Sequence, residues 1–362
     1  MSTMILAGLL LLVPISLALA YWLHASPLWV FLSAGLAIIP LAEWIRRATD
    51  HLANRAGPSI GGLLNVTFGS VAELTLALFV LAGGHPDIVK AQITGSIIST
   101  SLLGLGMAII VGGWKHEKQT FLRERASLLG SLLTTSVIAL LIPVLFNYTE
   151  RRVFAANPKK LGSLDEHLSI SVAIVLIVVY CANLLYTLVT HRDVFASRKR
   201  DTKPGESIWP LWQSLAVLCA ATVAVAVESG LIAGSLEATG SQLGLTPLFL
   251  GVIVLALIGN AADLLAAVYF ARQDRMGLVM GICVGSTVQV ALLLAPALVL
   301  ISYLMGQPMN LVFTNPLELI AIIGAVFVVN SIASDGETTW FEGLLLLAVY
   351  CLLGLAFFFA TP

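Results

Sequence analysis

Charge is what this sequence has least of. Only 11% of its 362 residues are Asp, Glu, Lys or Arg, against 58% that are hydrophobic, whereas a soluble domain is about one-quarter charged. That shortage excludes an ordinary water-soluble core. Cysteine is also scarce: Cys181, Cys219, Cys283 and Cys351 form no CxxC pair and all fall in apolar runs. They are expected to pack as small apolar side chains and to build neither a disulfide framework nor a thiolate metal site. The histidines (His24, His51, His85, His116, His167, His191) stand at or near the ends of those runs, and no HExxH occurs, which argues against a His-ligated metalloenzyme. There is no Gly-rich Walker loop, and GSVAEL is not a GxSxG elbow. The deep parts of the apolar runs contain no arginine to pair with an acid.

What is there is apolar sequence in long stretches. Runs of 20 or more residues recur from end to end, the signature of a polytopic helical membrane protein. Eleven spans are predicted, near residues 4–23, 27–48, 59–82, 87–112, 124–147, 164–191, 210–235, 245–271, 275–303, 313–332 and 340–360. The first could be taken for a signal peptide ending at Ala18-Leu19-Ala20, but it lacks a Lys/Arg-bearing start and is too long, so it is kept as a span. The loops 46–57, 115–125, 192–203 and 272–275 hold three, four, five and two Lys/Arg. The other side has only Lys90, Arg151, Arg152, Lys159 and Lys160, so the positive-inside rule puts the N-terminus in the cytoplasm. The basic Arg198-Lys199-Arg200 is then read as orientation and anionic-lipid contact, not nucleic-acid binding. The absence of a targeting presequence and of a long acidic loop leans toward a prokaryotic plasma (inner) membrane.

One span contains a carboxylate. In LIGNAADLLAAVYFARQDR (257–275) the nearest charges to Asp263 are Glu237 and Arg272. A shift of the chain by 190 residues explains it. Gly69-Ser70-Val71-Ala72-Glu73-Leu74 lands on Gly259-Asn260-Ala261-Ala262-Asp263-Leu264, and Gly95-Ser96 lands on Gly285-Ser286. Ala48-Thr49 overlays Ala238-Thr239, and Gly61 overlays Gly251. The repeat unit holds five spans, and an odd number means the two copies enter the membrane in opposite directions. The expected organisation is an extra N-terminal helix (1–26), a first inverted repeat (27–191), a basic linker (192–207) and a second inverted repeat (208–362).

The paired acids carry the chemistry. A carboxylate inside a bilayer costs about 2.5–3.5 kcal/mol on insertion scales, so it normally faces a cavity and marks an ion path. The glycines before each acid are expected to loosen the helix and free backbone carbonyls, which survive at that depth only beside protein or a wet cavity. Two acids related by a pseudo-two-fold axis meet at the centre, and oxygen ligands of this kind suit a hard cation such as Ca²⁺.

At these residues the chain resembles the Ca²⁺/H⁺ antiporter (CAX) family of the cation/Ca²⁺ exchanger superfamily. NVTFGSVAELTLALFVL and GSIISTSLLGLG look like its first α-repeat, GNAADLLAAVYFARQDRMGLVMGICVGSTVQVALLLAPALVL like its second, and DGETTWFEG like a stretch before its last helix. The resemblance runs from about residue 40 to 355 and implies a secondary transporter, not an enzyme, that exchanges cytosolic Ca²⁺ for protons and needs no cofactor. Carried over, the acids of the two GNxxE-type motifs are Glu73 and Asp263, alternately holding Ca²⁺ and protons. Asn260, Gln289 and Ser286 would add oxygens in copy two, Ser70, Ser96 and Ser99 in copy one, with carbonyls around Gly69 and Gly259 completing the shell. Three positions depart from the family pattern: Ser70 and Thr100 where Asn is expected, and Asp263 where Glu is expected.

Plainer readings stand beside these. Small polar residues in membrane helices often serve packing, at about 0.6 kcal/mol per interhelical hydrogen bond. Glu228, deep in the seventh span, is a candidate accessory acid on a proton path or an acid buried against a polar neighbour. Glu43, Glu318 and Glu342 lie nearer span ends, where a solvated or interfacial acid is expected. Within transport, Na⁺- or K⁺-coupled exchange and Mn²⁺ or another divalent cation remain alternatives; an intramembrane enzyme or a channel is the rival from another class. The sequence leaves the oligomeric state open, a homo-oligomer included.

Overall fold

The computed structural model describes residues 8–56, 61, 64, 67–114, 117–154, 157–190, 209–313 and 315–360. The apolar runs are helices because hydrocarbon offers no partner for a backbone N–H or C=O, and a helix satisfies both internally. In chain order they are α1 (Leu12–Tyr21), α2 (Pro27–Ala56), α3 (Val71–Ala82), α4 (Pro86–Gly113), α5 (Arg123–Glu150), α6 (Pro158–Leu185), α7 (Leu211–Leu243), α8 (Pro247–Ala271), α9 (Met276–Leu304), α10 (Pro316–Ala333) and α11 (Trp340–Phe359). Nine of these are long and apolar enough to cross a membrane. The predicted spans 4–23 and 59–82 correspond, among the described residues, to the shorter apolar helices α1 and α3. The predicted linker 192–207, with Arg198-Lys199-Arg200, lies outside the described residues.

Local sequence sets the ends. Asn157, Thr246 and Asn315 cap α6, α8 and α10 by accepting backbone N–H bonds ahead of a proline in the first turn. Thr339 and Glu342 form a capping box on α11. Gly244 ends α7 at φ 65°, a left-handed backbone that glycine adopts without strain.

The helices with the paired motifs occupy the middle. In α4, 83% of the apolar window is buried inside the protein, against 17% in α11. α2 lies along α7, α3 against α7, α4 against the start of α8, and α8 against α9. Leu76, Ile97, Leu102, Leu105 and Val288 fill the space between them, while Phe327, Leu352 and Phe359 point outward. In water such a surface would be a liability; facing lipid it is matched to its solvent.

Contacts across the bundle define its two ends. At the basic end the Arg55 guanidinium donates to the Trp209 carbonyl (3.0 Å). There also a two-stranded antiparallel pair joins β1 (Gln119–Thr120) to β2 (Glu337–Thr338). At the opposite end His85 meets Glu237 (3.7 Å), and the Lys90 ammonium donates to the Val312 carbonyl (3.0 Å).

Candidate functional site

Both paired acids come from the central helices. Glu73 stands in the first turn of α3, where a negative charge is favoured by the helix dipole, and is 3% exposed. Asp263 stands on the facing stretch of α8 and is half-buried. The two lie within electrostatic range of each other. Ser96 of α4 and Asn260 of α8 are the polar side chains beside the Glu73 carboxyl. The Asn260 amide donates to the Ser96 hydroxyl oxygen (2.9 Å) and to the Ala256 carbonyl (2.9 Å). On the other acid, the Ser286 hydroxyl of α9 donates to Asp263 Oδ2 (2.5 Å). Gly259 makes room for this: a Cβ there would stand 3.3 Å from Glu73 Cγ, so a side chain would press on Glu73. Glu73 Oε1 is buried without a hydrogen-bond partner among the described residues, an oxygen left over for something else to use.

The remaining predicted residues are spread around this centre. Ser99 is buried, its hydroxyl donating back to the Ser96 carbonyl (3.3 Å). Gln289 closes the α-helical part of α9, three residues past Ser286. Ser70 caps the start of α3 without a side-chain cap bond, and Gly69 beside it is exposed. Thr100 meets Thr287 of α9 (2.9 Å), tying the two motif helices together.

Several expectations need correction. The backbone does not open at Gly259-Asn260, since the helix from Ala256 to Ala271 runs through both. The irregular backbone lies instead in π-helical turns at Ser99–Gly104, Leu250–Leu255 and Val290–Leu294, a feature common beside functional sites. Glu318 is not interfacial: it is 2% exposed and accepts from the Thr94 hydroxyl (3.1 Å). Glu43 accepts from Arg46 (2.7 Å at both oxygens) and from Arg47 (2.9 Å), and Glu342 is spent on its capping box. α2 runs past its predicted end at residue 48, and Arg46, already inside the predicted span, lies within electrostatic range of Asp263. Sequence reasoning missed that cation, although Glu43 at i−3 and Asp50 at i+4 were visible as helix-spaced partners. Glu228 is fully buried and takes a bond from the Ser16 hydroxyl of α1 (2.7 Å), away from the central pair. Of the cysteines only Cys283 is buried; the other three are exposed.

Among the described residues no three His, Cys, Asp or Glu come together. A cation held at the centre would have the two carboxylates, with amide and hydroxyl oxygens beside them. That set suits a hard ion with flexible coordination better than one needing nitrogen or sulfur.

Comparison with known proteins follows the same residues. The family described as "Sodium/calcium exchanger protein" matches residues 26–189 and 213–359. A Ca²⁺/H⁺ antiporter of Aphanothece halophytica is 44% identical over 365 residues, covering 97% of this chain and 95% of that protein. The Ca²⁺/H⁺ antiporter ChaA of Bacillus subtilis is 38% identical over 351 residues, covering 96% of each. The solved structure of native YfkE superposes with a TM-score of 0.83 at 34% identity, covering 98% of this chain and 100% of that one.

Proposed function

This chain belongs to the sodium/calcium exchanger protein family, and on that premise we propose that it is a secondary antiporter exchanging Ca²⁺ for protons at Glu73 and Asp263. The observation that carries the reading is the convergence of two carboxylates from α3 and α8 on one hydroxyl- and amide-lined centre inside an apolar bundle. The antiporters of Aphanothece halophytica and Bacillus subtilis, similar over almost the whole chain, support the same ions.

Charge balance gives the mechanism. Empty and ionised, the site holds two negative charges, which a low-dielectric bundle resists closing over. One divalent cation neutralises both, and so do two protons. A monovalent cation leaves one charge behind. The site therefore changes sides when loaded with Ca²⁺ or with protons, and competition for the same oxygens couples the two fluxes. Two carboxylates provide for two protons per cation. The Ser286 bond holds Asp263 in place between loads, and the Asn260–Ser96 bond fixes the two polar side chains beside Glu73, so that part of the shell is assembled before the ion arrives.

In this reading the two acids belong to inverted repeats 27–191 and 208–362, joined at 192–207, with residues 1–26 as an added helix. The basic end is cytoplasmic, the membrane is a prokaryotic plasma membrane, and Ca²⁺ leaves the cell as protons enter. Ser70, Ser99, Gln289 and Ser286 supply further oxygens as the site rearranges. The test is a proton gradient in everted vesicles, followed with a pH dye and challenged in turn with Ca²⁺, Mn²⁺, Na⁺ and K⁺. Ca²⁺ is expected to dissipate the gradient; no response to any divalent cation overturns the proposal.

A further inference from the structure

The first turns of α4 carry polar side chains for which the exchange cycle above has no role. Lys90, Gln92 and Thr94 are 7%, 1% and 0% exposed. Under the 190-residue shift they fall on Met280, Ile282 and Val284 of α9. The polarity is thus not demanded by the position in the repeat; it is confined to the half of α4 that leads from the opposite end to the acids. Two of the three are satisfied. Lys90 donates to the Val312 carbonyl and pairs with Asp87 (2.8 Å), and Thr94 donates to Glu318. Gln92 differs: both its amide oxygen and its amide nitrogen are buried without a hydrogen-bond partner among the described residues. A buried amide without a protein partner is costly, so its retention calls for a user.

Its position names one. At the opposite end a cleft of about 500 Å³ is lined by His85, Asp87, Ile88, Glu237, Ser241 and Leu250, among others. Gln92 is one turn inward from Ile88 and one turn outward from Ser96, which contacts Glu73. At 1.5 Å per residue it is about 6 Å along the helix from each. Its backbone nitrogen lies against Gly251, in the seam where α4 meets the start of α8. That seam is tight: a Cβ on Gly251 would stand 2.6 Å from Ala91 Cβ and 2.7 Å from the Ile88 carbonyl oxygen. Gln92 thus sits in the seam, between the cleft and the acids along α4.

We propose that Gln92 is a further cation ligand, a stepping point whose amide oxygen takes Ca²⁺ between the two acids and the cleft when the seam parts. The proposal rests on the exchange reading. A neutral amide oxygen suits the task, because it replaces one ligand of the departing hard cation without adding the charge that would trap it.

The test measures Ca²⁺ transport by full-length protein in everted and right-side-out vesicles, with Ca²⁺ titrated at one face at a time. Gln92→Leu is expected to raise the half-saturating Ca²⁺ about tenfold at the opposite face and to leave it within twofold at the basic face. Gln92→Glu, which keeps an oxygen and adds a charge, is expected to lower the opposite-face value severalfold and to leave the basic-face value within twofold, and it carries the test alone if the leucine variant does not accumulate. Equal shifts at both faces, or no shift, overturn the assignment, since a packing role has no reason to be one-sided. Failure of the exchange reading looks different: the wild type itself would show no Ca²⁺-driven proton flux from either face, and the proposal would fall with it.

Discussion

Gly95→Ala tests the α4–α8 seam most directly. A Cβ built on Gly95 meets the Val252 carbonyl oxygen, and stands 2.6 Å from both the Val252 carbonyl carbon and the Ala256 Cβ. Carbon atoms prefer separations of about 3.5–4.0 Å, so the two helices must part by roughly 1 Å. Neither neighbour can rotate away, because one is backbone and the other has no rotamer. Overpacking of this kind costs about 1–3 kcal/mol, offset by up to about 1 kcal/mol of helix propensity gained in replacing glycine. Gly324→Ala in α10 is the control, with nothing within 4 Å of its Cβ, so it keeps the propensity gain alone. The two variants should therefore differ by about 1–3 kcal/mol. Melting in detergent, read as the monodisperse fraction surviving each temperature, is expected to fall by a few degrees in Gly95→Ala and not in Gly324→Ala. Equal melting of the two, with exchange at the wild-type rate, would refute the tight seam.

Other outcomes follow from the same contacts. Glu73→Gln and Asp263→Asn keep shape but remove the ionisable oxygen, and each should abolish Ca²⁺-driven proton flux in everted vesicles while the protein still elutes as a folded species; transport retained in either variant removes that acid from the centre. Ser286→Ala deletes the hydroxyl that holds Asp263, and a bond to a charged group is worth about 1.5–3 kcal/mol, so half-saturating Ca²⁺ should rise about tenfold or more. A cycle of Thr94→Val, Glu318→Leu and the double variant should show the double to be less destabilised than the singles added together, because either single leaves one buried partner unbonded. Additivity would mean that this bond contributes nothing.

The parts of the site that repeat were legible, since a repeat makes local sequence report on distant structure. Overlaying Glu73 on Asp263 and Ser96 on Ser286 brought forward the acids, the hydroxyl bonded to Asp263 and the one beside Glu73. What stayed hidden does not repeat. Glu318 follows Asn315-Pro316 at a helix start and looks interfacial, while the Thr94 that buries it is 224 residues away. Ser16 and Glu228 are likewise joined across 212 residues. The Gly-Asn pair suggested a break in α8, yet the Asn260 amide bonds the Ala256 carbonyl four residues back and the helix continues. The backbone departs instead at apolar π turns such as Val290–Leu294, where packing between helices decides and no residue type announces it. Hydropathy windows likewise ended α2 too early, at residue 48, because the stretch on to Ala56 carries Asp50, His51 and Arg55 and averages to a loop although the helix continues through it.

The β1–β2 pair has a mechanical consequence. β1 precedes α5 and β2 precedes α11, so the ladder, reinforced by Lys118 on Glu337 (2.6 Å), pins together two loops far apart in the chain. The Gln119 side chain anchors it, donating to the Ile109 carbonyl (2.9 Å) inside the end of α4. α4 is thus held at Gly113, and its other end is tied by the Lys90 bond to the Val312 carbonyl and the Thr94 bond to Glu318, which a tilt about Gly113 would have to break. From that fulcrum Gly95 lies roughly 27 Å along the helix axis at 1.5 Å per residue. A tilt of about 2° opens the seam by roughly 1 Å, and a tilt of about 10° opens it by roughly 5 Å, wide enough for a partly hydrated ion. With a fulcrum this far off, parting the seam would take only a small swing of α4, through which its π turn at Ser99–Gly104 need not unwind.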